Sequence, residues 1–224
     1  MTQHPYLNLG AGRIILPGER PFHHALVDPA IYNYPLWHNV DRNKQSGIDE
    51  CADVCTYPWP WADNSYDGAL LSHLVEHIPH EVKIDRRVIA GHSDEVRPGY
   101  DRREALLPMQ DGWYAFFAEL YRVLTDGAVA HILSPYGWSQ GAITDPTHTR
   151  LLSEHTFTHS MAPDPNSPFE YQTGGIHFEM TQPAVFHMTE MFQHLKDDPV
   201  ELTRALQTRI NVAYEFYVKL RVVK

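Results

Sequence analysis

The sequence is poor in cysteine and in basic residues. Cys51 and Cys55 are the only two cysteines among 224 residues, which is too few for the disulfide framework of a small secreted domain. Lys and Arg total 18 against 28 Asp and Glu, so the formal net charge is −10. Nucleic acids and anionic membranes attract basic surfaces, and we therefore expect neither as a partner.

Long hydrophobic runs are also missing. No apolar stretch approaches the roughly 20 residues of a membrane-spanning helix. The first residues, MTQHPYLNLGAGR, lack the basic segment and apolar run of a secretion signal. Two free thiols suit a reducing compartment, so we expect a cytoplasmic protein. The length fits one well-buried domain spanning residues 1–224.

A strand followed by a glycine turn opens the chain. The apolar stretch YLNL precedes Gly10, Ala11 and Gly12. Glycines at such a turn let the backbone approach a bound nucleotide, although many glycine turns have no such role. Asp41 ends a second apolar stretch, LWHNVD, at the position where nucleotide-binding α/β folds use an acidic residue for ribose hydroxyls. A solvated loop carboxylate is the alternative.

The stretch SHLVEHIPHE contains His73, Glu76 and His77 in the order H-x-x-E-H. On a helix these side chains share one face, as in the inverted zinc-protease signature. A zinc hydrolase also needs a third ligand and a long helix, whereas this segment follows a buried strand, YDGALLSH, and meets Pro79 at once. We therefore expect no metal ion and place His73 at the strand end.

Further elements follow from periodicity. Aromatic and leucine residues recur at helical spacing in GWYAFFAELYRVL, and a buried strand is predicted at residues 128–133. A short third strand is predicted at residues 52–55, and a helix starting near residue 74. Alternation over residues 212–223 predicts a long final strand. Asp145, His148 and Arg150 lie in DPTHTR, within a polar segment of the type that covers active sites.

Together these stretches resemble the class I S-adenosylmethionine-dependent methyltransferases, and among them the methyltransferase type 11-like proteins. The stretches that carry the resemblance occur in family order: LNLGAG with ILPG, WHNVD, ADVCTYPWPWADNSYDGALLSHLVEHI, FFAELYRVLTDGAVAHILSP, DPTHTR and NVAYEFYVKLRVVK. The resemblance implies an α/β fold, a Rossmann-like seven-stranded and mostly parallel sheet with an antiparallel last strand and helices on both faces. Insertions are expected near residues 19–36, 80–110 and 136–183.

The resemblance also implies a cofactor, S-adenosylmethionine, and the residues that bind it. The glycine turn would pass under its methionine and ribose parts, and Asp41 would bind its ribose hydroxyls. The full implied set is Leu9, Gly10, Ala11, Gly12, Asp41, Asp53, Val54, Ser72 and His73. Arg13 follows Gly12 where the family usually has a third small residue.

The implied activity is methyl transfer to oxygen or nitrogen of a polar small-molecule or saccharide-type acceptor. Such a reaction needs positioning above all, with a general base for some acceptors. His73 is the first candidate base, and His148 with Asp145 the second. His148 and Arg150 are the candidate substrate-binding residues. The alternatives are a structural role for His73 and a loop-pinning network for His148 and Arg150.

A non-catalytic binding or assembly protein that keeps the methyltransferase fold is the alternative function, because a fold does not determine an activity. The departure at Arg13 and the expected insertion at 19–36 favour it. A nicotinamide dehydrogenase also begins with a glycine turn, but the third glycine of G-x-G-x-x-G is missing. The sequence does not identify the methyl acceptor, and it leaves the oligomeric state open, including a homodimer.

Overall fold

The computed structural model describes residues 4–17, 24–81, 83–84, 112–161 and 176–224. Most of the predicted insertion at 80–110 lies outside the described residues, as do parts of the other two insertions. Among the described residues, no helix combines the length and the apolar character that crossing a membrane requires.

The described residues form ten strands and seven helices. The strands are β1 (Tyr6–Leu9), β2 (Trp37–Asp41), β3 (Glu50–Cys51), β4 (Thr56–Tyr57), β5 (Tyr66–Ser72), β6 (Lys83–Ile84), β7 (Leu124–Pro135), β8 (Phe178–Met180), β9 (Val185–Met188) and β10 (Ala213–Val222). The α-helices are α1 (Pro29–Tyr32), α2 (Gly112–Val123), α3 (Gln140–Thr144), α4 (Glu154–Met161) and α5 (Pro199–Thr208). Two 3₁₀ helices span Val75–His77 and Glu190–Leu195.

The main sheet has the strand order β3-β2-β1-β5-β7-β10-β8, and β9 also pairs with β10. Strands β1, β2, β3, β5 and β7 pair in parallel, whereas β10 is antiparallel to β7, β8 and β9. The predicted α/β fold, with a mostly parallel sheet and an antiparallel last strand, is therefore confirmed. The sheet has eight strands rather than seven, because β8 and β9 share the edge beside β10.

Both faces of the sheet are covered, as alternate residues of β5 show. Ala69 and Leu71 belong to the larger core cluster, which includes residues of α2, α4 and α5. Leu70 points to the opposite face and belongs to a smaller cluster with Ile31 and Tyr32 of α1. Strands buried on both faces read as continuous apolar runs, which is why GALL alone predicts a central strand. Helices on both faces are thus confirmed.

Two local expectations are wrong. The third strand lies at Glu50–Cys51, not at 52–55, because Asp53 starts a turn in which its carboxylate accepts the Cys55 N–H at 3.0 Å. The segment after β5 forms a three-residue 3₁₀ helix rather than an α-helix, and Ile78 is extended. Pro79 follows directly. The α conformation is sterically disfavoured for a residue that precedes a proline, and Ile78 therefore does not continue the helix.

Candidate functional site

The glycine turn lies at the carboxyl end of β1, beside the end of β2. Gly10 and Gly12 have φ angles of +64° and +52°, in the region that glycine adopts without strain. The Gly12 N–H donates to Asp41 Oδ2 at 2.9 Å, and the Asn43 N–H donates to Asp41 Oδ1 at 2.7 Å. The Asp41 carboxylate is therefore held against the turn, and the residue is 8% exposed.

This corner has features that fit a nucleoside cofactor. A Cβ built on Gly12 would have only the Gly10 carbonyl within 4 Å, at 3.8 Å, so the turn faces open space. Each Asp41 oxygen can accept a second hydrogen bond, for example from a ribose hydroxyl. The Ser72 hydroxyl, at the end of β5, is buried and has no hydrogen-bond partner. Such an orphaned group is costly unless a ligand or water satisfies it.

The remaining predicted cofactor residues lie in different surroundings. Leu9 has no exposed surface and belongs to the main core, so its side chain packs rather than binds. Asp53 is exposed at the turn after β3. Val54 is 7% exposed, and its carbonyl accepts the Trp59 indole N–H at 2.9 Å. Asp53 is thus the accessible member of the predicted adenine pair.

A cavity of about 340 Å³ lies where β5 and β7 end and β10 begins. Most of its lining residues have polar side chains, and they are His73, Glu76, His77, Pro135, Gly141, Asp145, His148, Tyr214 and Glu215. The structure thus brings all three predicted catalytic residues, His73, Asp145 and His148, to one cavity. Arg150 does not line it.

His73 is held between two carboxylates. Its φ is +52°, and its backbone N–H donates to the Leu133 carbonyl at 2.9 Å. Nε2 lies 3.2 Å from Glu215 Oε2, and Nδ1 lies 3.5 Å from Glu76 Oε1. Glu215 first, and then Glu76, raise the pKa of His73 to about 9, against the effect of burial. At neutral pH, His73 therefore carries a proton and acts as a donor rather than as a base.

Glu215 organises this side of the cavity, although the sequence analysis did not identify it. His24 Nε2 and His187 Nδ1 each lie 2.8 Å from its Oε1. Burial favours its neutral form, but hydrogen bonds from His73 and His187 lower its pKa to about 2. Antiparallel pairing with Pro135 brings the start of β10 to the cavity. Glu215 fits the polar side of the alternation in the final strand, as Lys219 and Arg221 do, so the sequence carried no signal for its role.

His148 has the opposite character to His73. Its Nδ1 lies 2.9 Å from the Ala142 carbonyl, which can only accept, so Nδ1 carries the hydrogen. Nε2 then keeps a lone pair, 3.7 Å from Asp145 Oδ2. Hydrogen bonds from the Thr147 hydroxyl and N–H lower the pKa of Asp145. Among the predicted bases, His148 is thus the one whose geometry leaves a nitrogen ready to accept a proton.

Arg150 fixes the loop that follows. Its Nε donates to the Ile78 carbonyl at 3.1 Å, and Nη2 donates to the Pro79 carbonyl at 3.3 Å. The guanidinium lies 5.5 Å from the centre of the Trp113 ring. These contacts place Arg150 in the loop-pinning network that was the alternative to substrate binding.

Comparisons with known proteins agree at the level of the fold. No model of a known protein family matches the sequence, and no curated protein matches it either. A solved structure of an S-adenosylmethionine-dependent methyltransferase from Archaeoglobus fulgidus matches 98% of this chain and 86% of its own, with a TM-score of 0.53 and 16% identity.

Two further solved structures are similar at lower scores. The [4+2]-cyclase SpnF matches 99% of this chain and 75% of its own at 11% identity, with a TM-score of 0.49. A 1,6-didemethyltoxoflavin-N1-methyltransferase from Burkholderia thailandensis matches 99% and 72% at 11% identity, with a TM-score of 0.47. The similarity to the Archaeoglobus protein, at this low identity, is a likeness of fold, and it agrees with the strand order described above. The chain has the fold of the class I S-adenosylmethionine-dependent methyltransferases.

Proposed function

We propose that this chain transfers the methyl group of S-adenosylmethionine to oxygen or nitrogen of a polar small-molecule or saccharide-type acceptor. The observation that carries the proposal is the position of two features on one edge of the sheet. The glycine turn with Asp41 lies at the ends of β1 and β2, and the cavity lies at the ends of β5 and β7. Open α/β sheets bind their ligands at this edge.

Asp41 and the glycine turn would hold the nucleoside part of the cofactor. Asp41 offers a fixed carboxylate to the ribose hydroxyls, and Gly12 leaves the space that the ligand needs. Ser72 ends β5, the strand that runs between this corner and the cavity, and its buried hydroxyl would gain a partner. The bound cofactor would supply a methyl carbon that a positively charged sulfur activates.

The cavity residues would position the acceptor. Protonated His73 can donate a hydrogen bond to an acceptor oxygen, and His148 Nε2 can receive the proton that the acceptor loses. When bound, the cofactor would supply the methyl group to the acceptor lone pair and would leave as a neutral thioether that keeps the electron pair of the broken carbon–sulfur bond, while His148 would hold the released proton.

The size and charge of the site favour a small polar acceptor. The cavity volume of about 340 Å³ is in the range of small-molecule sites. Its walls carry imidazole, carboxylate and phenol groups, which can hydrogen-bond to the polar groups of an acceptor. The net charge of −10 makes a nucleic acid an unfavourable substrate.

Calorimetric titration with S-adenosylmethionine and S-adenosylhomocysteine tests the cofactor assignment. We expect binding to the wild-type protein, and binding that is about 10- to 100-fold weaker in Asp41→Ala, because a hydrogen bond to a charged group contributes about 1.5–3 kcal/mol. Asp198→Ala is the matched control: its carboxylate also accepts a backbone N–H, from Glu201, but it caps α5. If the wild-type protein bound neither compound, the proposal would be wrong.

Methyl transfer itself needs a separate measurement. Cofactor carrying a labelled methyl group is incubated with small-molecule acceptors and with a size-fractionated cell extract, and transfer of label to a small product is expected. Cofactor binding without any labelled product would instead support the non-catalytic binding protein. Label recovered only in macromolecules would contradict a small acceptor.

A further inference from the structure

We infer that Glu76, His77 and His148 form a binding site for a divalent transition-metal ion on the wall of the cavity. One ring nitrogen of each histidine and one carboxylate oxygen of Glu76 lie within 4.8 Å of one another. The sequence alone predicted no metal ion, because the H-x-x-E-H stretch meets Pro79 at once and lacks a third ligand, and His148 could not be placed beside it.

The two imidazoles are oriented as metal-binding histidines usually are. His148 Nδ1 donates to the Ala142 carbonyl at 2.9 Å. His77 Nδ1 lies 3.2 Å from both the carbonyl and the hydroxyl oxygen of Thr147, and that hydroxyl donates to Asp145 at 2.7 Å. Both Nδ1 atoms therefore carry hydrogen, and both Nε2 atoms keep their lone pairs. Metal-binding histidines typically donate their other N–H to a carbonyl in this way.

Glu76 supplies the third ligand and the negative charge. The residue is 1% exposed, and its Oε2 accepts the Ser134 hydroxyl at 3.1 Å. Oε1 is also buried, and its ion-pair partner, His73 Nδ1, lies 3.5 Å away without a hydrogen bond to it. A buried carboxylate oxygen is costly without a direct partner, and a metal ion beside His77 and His148 would bind it directly.

A second cluster, formed by His24, His187 and Glu215, has similar distances but no free lone pairs at its centre. His24 Nδ1 accepts the Leu26 N–H at 3.3 Å, so its Nε2 carries the hydrogen that is donated to Glu215. His187 Nδ1 contacts the same carboxylate oxygen at 2.8 Å. The carboxylate of the second cluster accepts hydrogen bonds from both histidines, whereas Glu76 Oε1 accepts none from His77 or His148.

The ligand types indicate which ion the site would take. Two imidazoles and one carboxylate suit Zn²⁺, Co²⁺ or Fe²⁺, whereas Mg²⁺ and Ca²⁺ prefer oxygen ligands alone. Three protein ligands leave coordination positions open, and the cavity lies on that side. A cation there would take over the lone pair of His148 and could lower the pKa of an acceptor hydroxyl directly.

The test uses untagged full-length protein that has been dialysed against a chelator. Zn²⁺ binding is measured by calorimetry, and Co²⁺ binding by its visible absorption, which reports nitrogen and oxygen ligands. We expect one ion per chain, and at least about 100-fold weaker binding in His148→Asn and His77→Asn, since even outer ligand partners contribute about 10- to 100-fold. Asparagine keeps a donor near Nδ1 but removes Nε2, so the fold is preserved.

Two controls make the result decisive. His194→Asn changes an exposed histidine that belongs to neither cluster, and it should leave metal binding unchanged. Loss of the ion in His187→Asn but not in His148→Asn would assign it to the second cluster and overturn the inference. Absence of binding to the wild-type protein would also overturn it. Cofactor binding, measured in the same samples, tests the proposed function separately, because Asp41 is not a ligand here.

Discussion

His131 lies in β7 with its ring buried against Tyr217, and its protonation couples folding to pH. The ring is 7% exposed, and Nδ1 hydrogen-bonds to the Tyr217 hydroxyl. Burial, and secondarily Lys219, lower the pKa of His131 to about 4, while Asp28 opposes the shift. In the unfolded chain the pKa of a histidine is about 6.5. The folded protein therefore resists protonation of His131 more than the unfolded chain does.

The stability of the wild-type protein should fall as the pH decreases from about 6.5 to about 4. The unfolded chain binds a proton at residue 131 in this window and the folded protein does not, so the loss reaches about 3 kcal/mol. His131→Gln removes this contribution. The free energy of unfolding of both proteins, measured in urea at several pH values, should differ in slope by about one proton between pH 4.5 and 6.

The control for this measurement is His155→Gln, because His155 is an exposed histidine of α4 with a side chain 59% accessible. Its pH slope should equal that of the wild-type protein. Equal slopes for wild type and His131→Gln would mean that His131 does not titrate differently on folding. A loss of stability in His131→Gln that is equal at all pH values would reflect poorer packing. It would not change the slope of the unfolding free energy against pH.

At the residue scale, the sequence predicted where side chains lie better than it predicted their protonation states. Asp41 and the glycine turn were identified because a strand end and its turn are local features, and the structure joins them at 2.9 Å. Glu215 was missed because its role depends on His24 and His187, which are remote in the sequence. The proton on His73 likewise depends on Glu215, which comes from another strand.

At the element scale, α2 holds the loop between β4 and β5 through one buried ion pair. Arg122 donates to both oxygens of Glu119, at 2.9 and 2.8 Å, and to the Trp61 carbonyl at 2.7 Å. Glu119 also accepts the Trp59 N–H at 2.6 Å. The side chains of Arg122 and Glu119 are 12% and 7% exposed. The loop WPWADN therefore depends on a helix that follows it by some 60 residues.

Arg122→Met should destabilise the protein by about 3–5 kcal/mol, because it leaves the Glu119 carboxylate buried without its partner. The matched control is Arg204→Met, which breaks an i,i+3 Arg–Glu pair on α5 whose side chains are 67% and 44% exposed. That change should cost less than about 1 kcal/mol. Urea unfolding monitored by tryptophan fluorescence measures both, and equal losses would contradict the difference in burial.

The elements were predictable where periodicity is strong. Strands β1, β2, β5, β7 and β10 and helix α2 follow directly from apolar runs or alternation. The helix expected near residue 74 was wrong because Pro79 and an extended Ile78 end it after three residues. Strands β8 and β9 were not foreseen, since they are short and, among the described strands, pair with β10 alone at the sheet edge.

At the scale of the whole molecule, the direction of the strands decides where chemistry gathers. Within the described sheet, the parallel strands β1, β2, β3, β5 and β7 end at one edge, and the antiparallel strand β10 begins there. Asp41, His73 and Glu215 therefore meet at this edge although they are widely separated along the chain. The resemblance to methyltransferases implied this arrangement, whereas periodicity alone predicted only the individual strands and helices.

Binding at this edge should stabilise the whole domain by mass action. S-adenosylhomocysteine at 100 times its Kd should add about 2.7 kcal/mol to the free energy of unfolding. For a chain of this size, about 1 kcal/mol shifts Tm by about 2–4 °C, so Tm should rise by roughly 5–10 °C. Scanning calorimetry measures the shift. At the same ligand concentration, the rise should fall to about half or less in Asp41→Ala, which loses a cofactor contact. It should persist in His148→Asn, which loses a cavity side chain and a proposed metal ligand but no cofactor contact. An unchanged shift in Asp41→Ala would place the cofactor away from the end of β2 and would contradict the proposed binding corner.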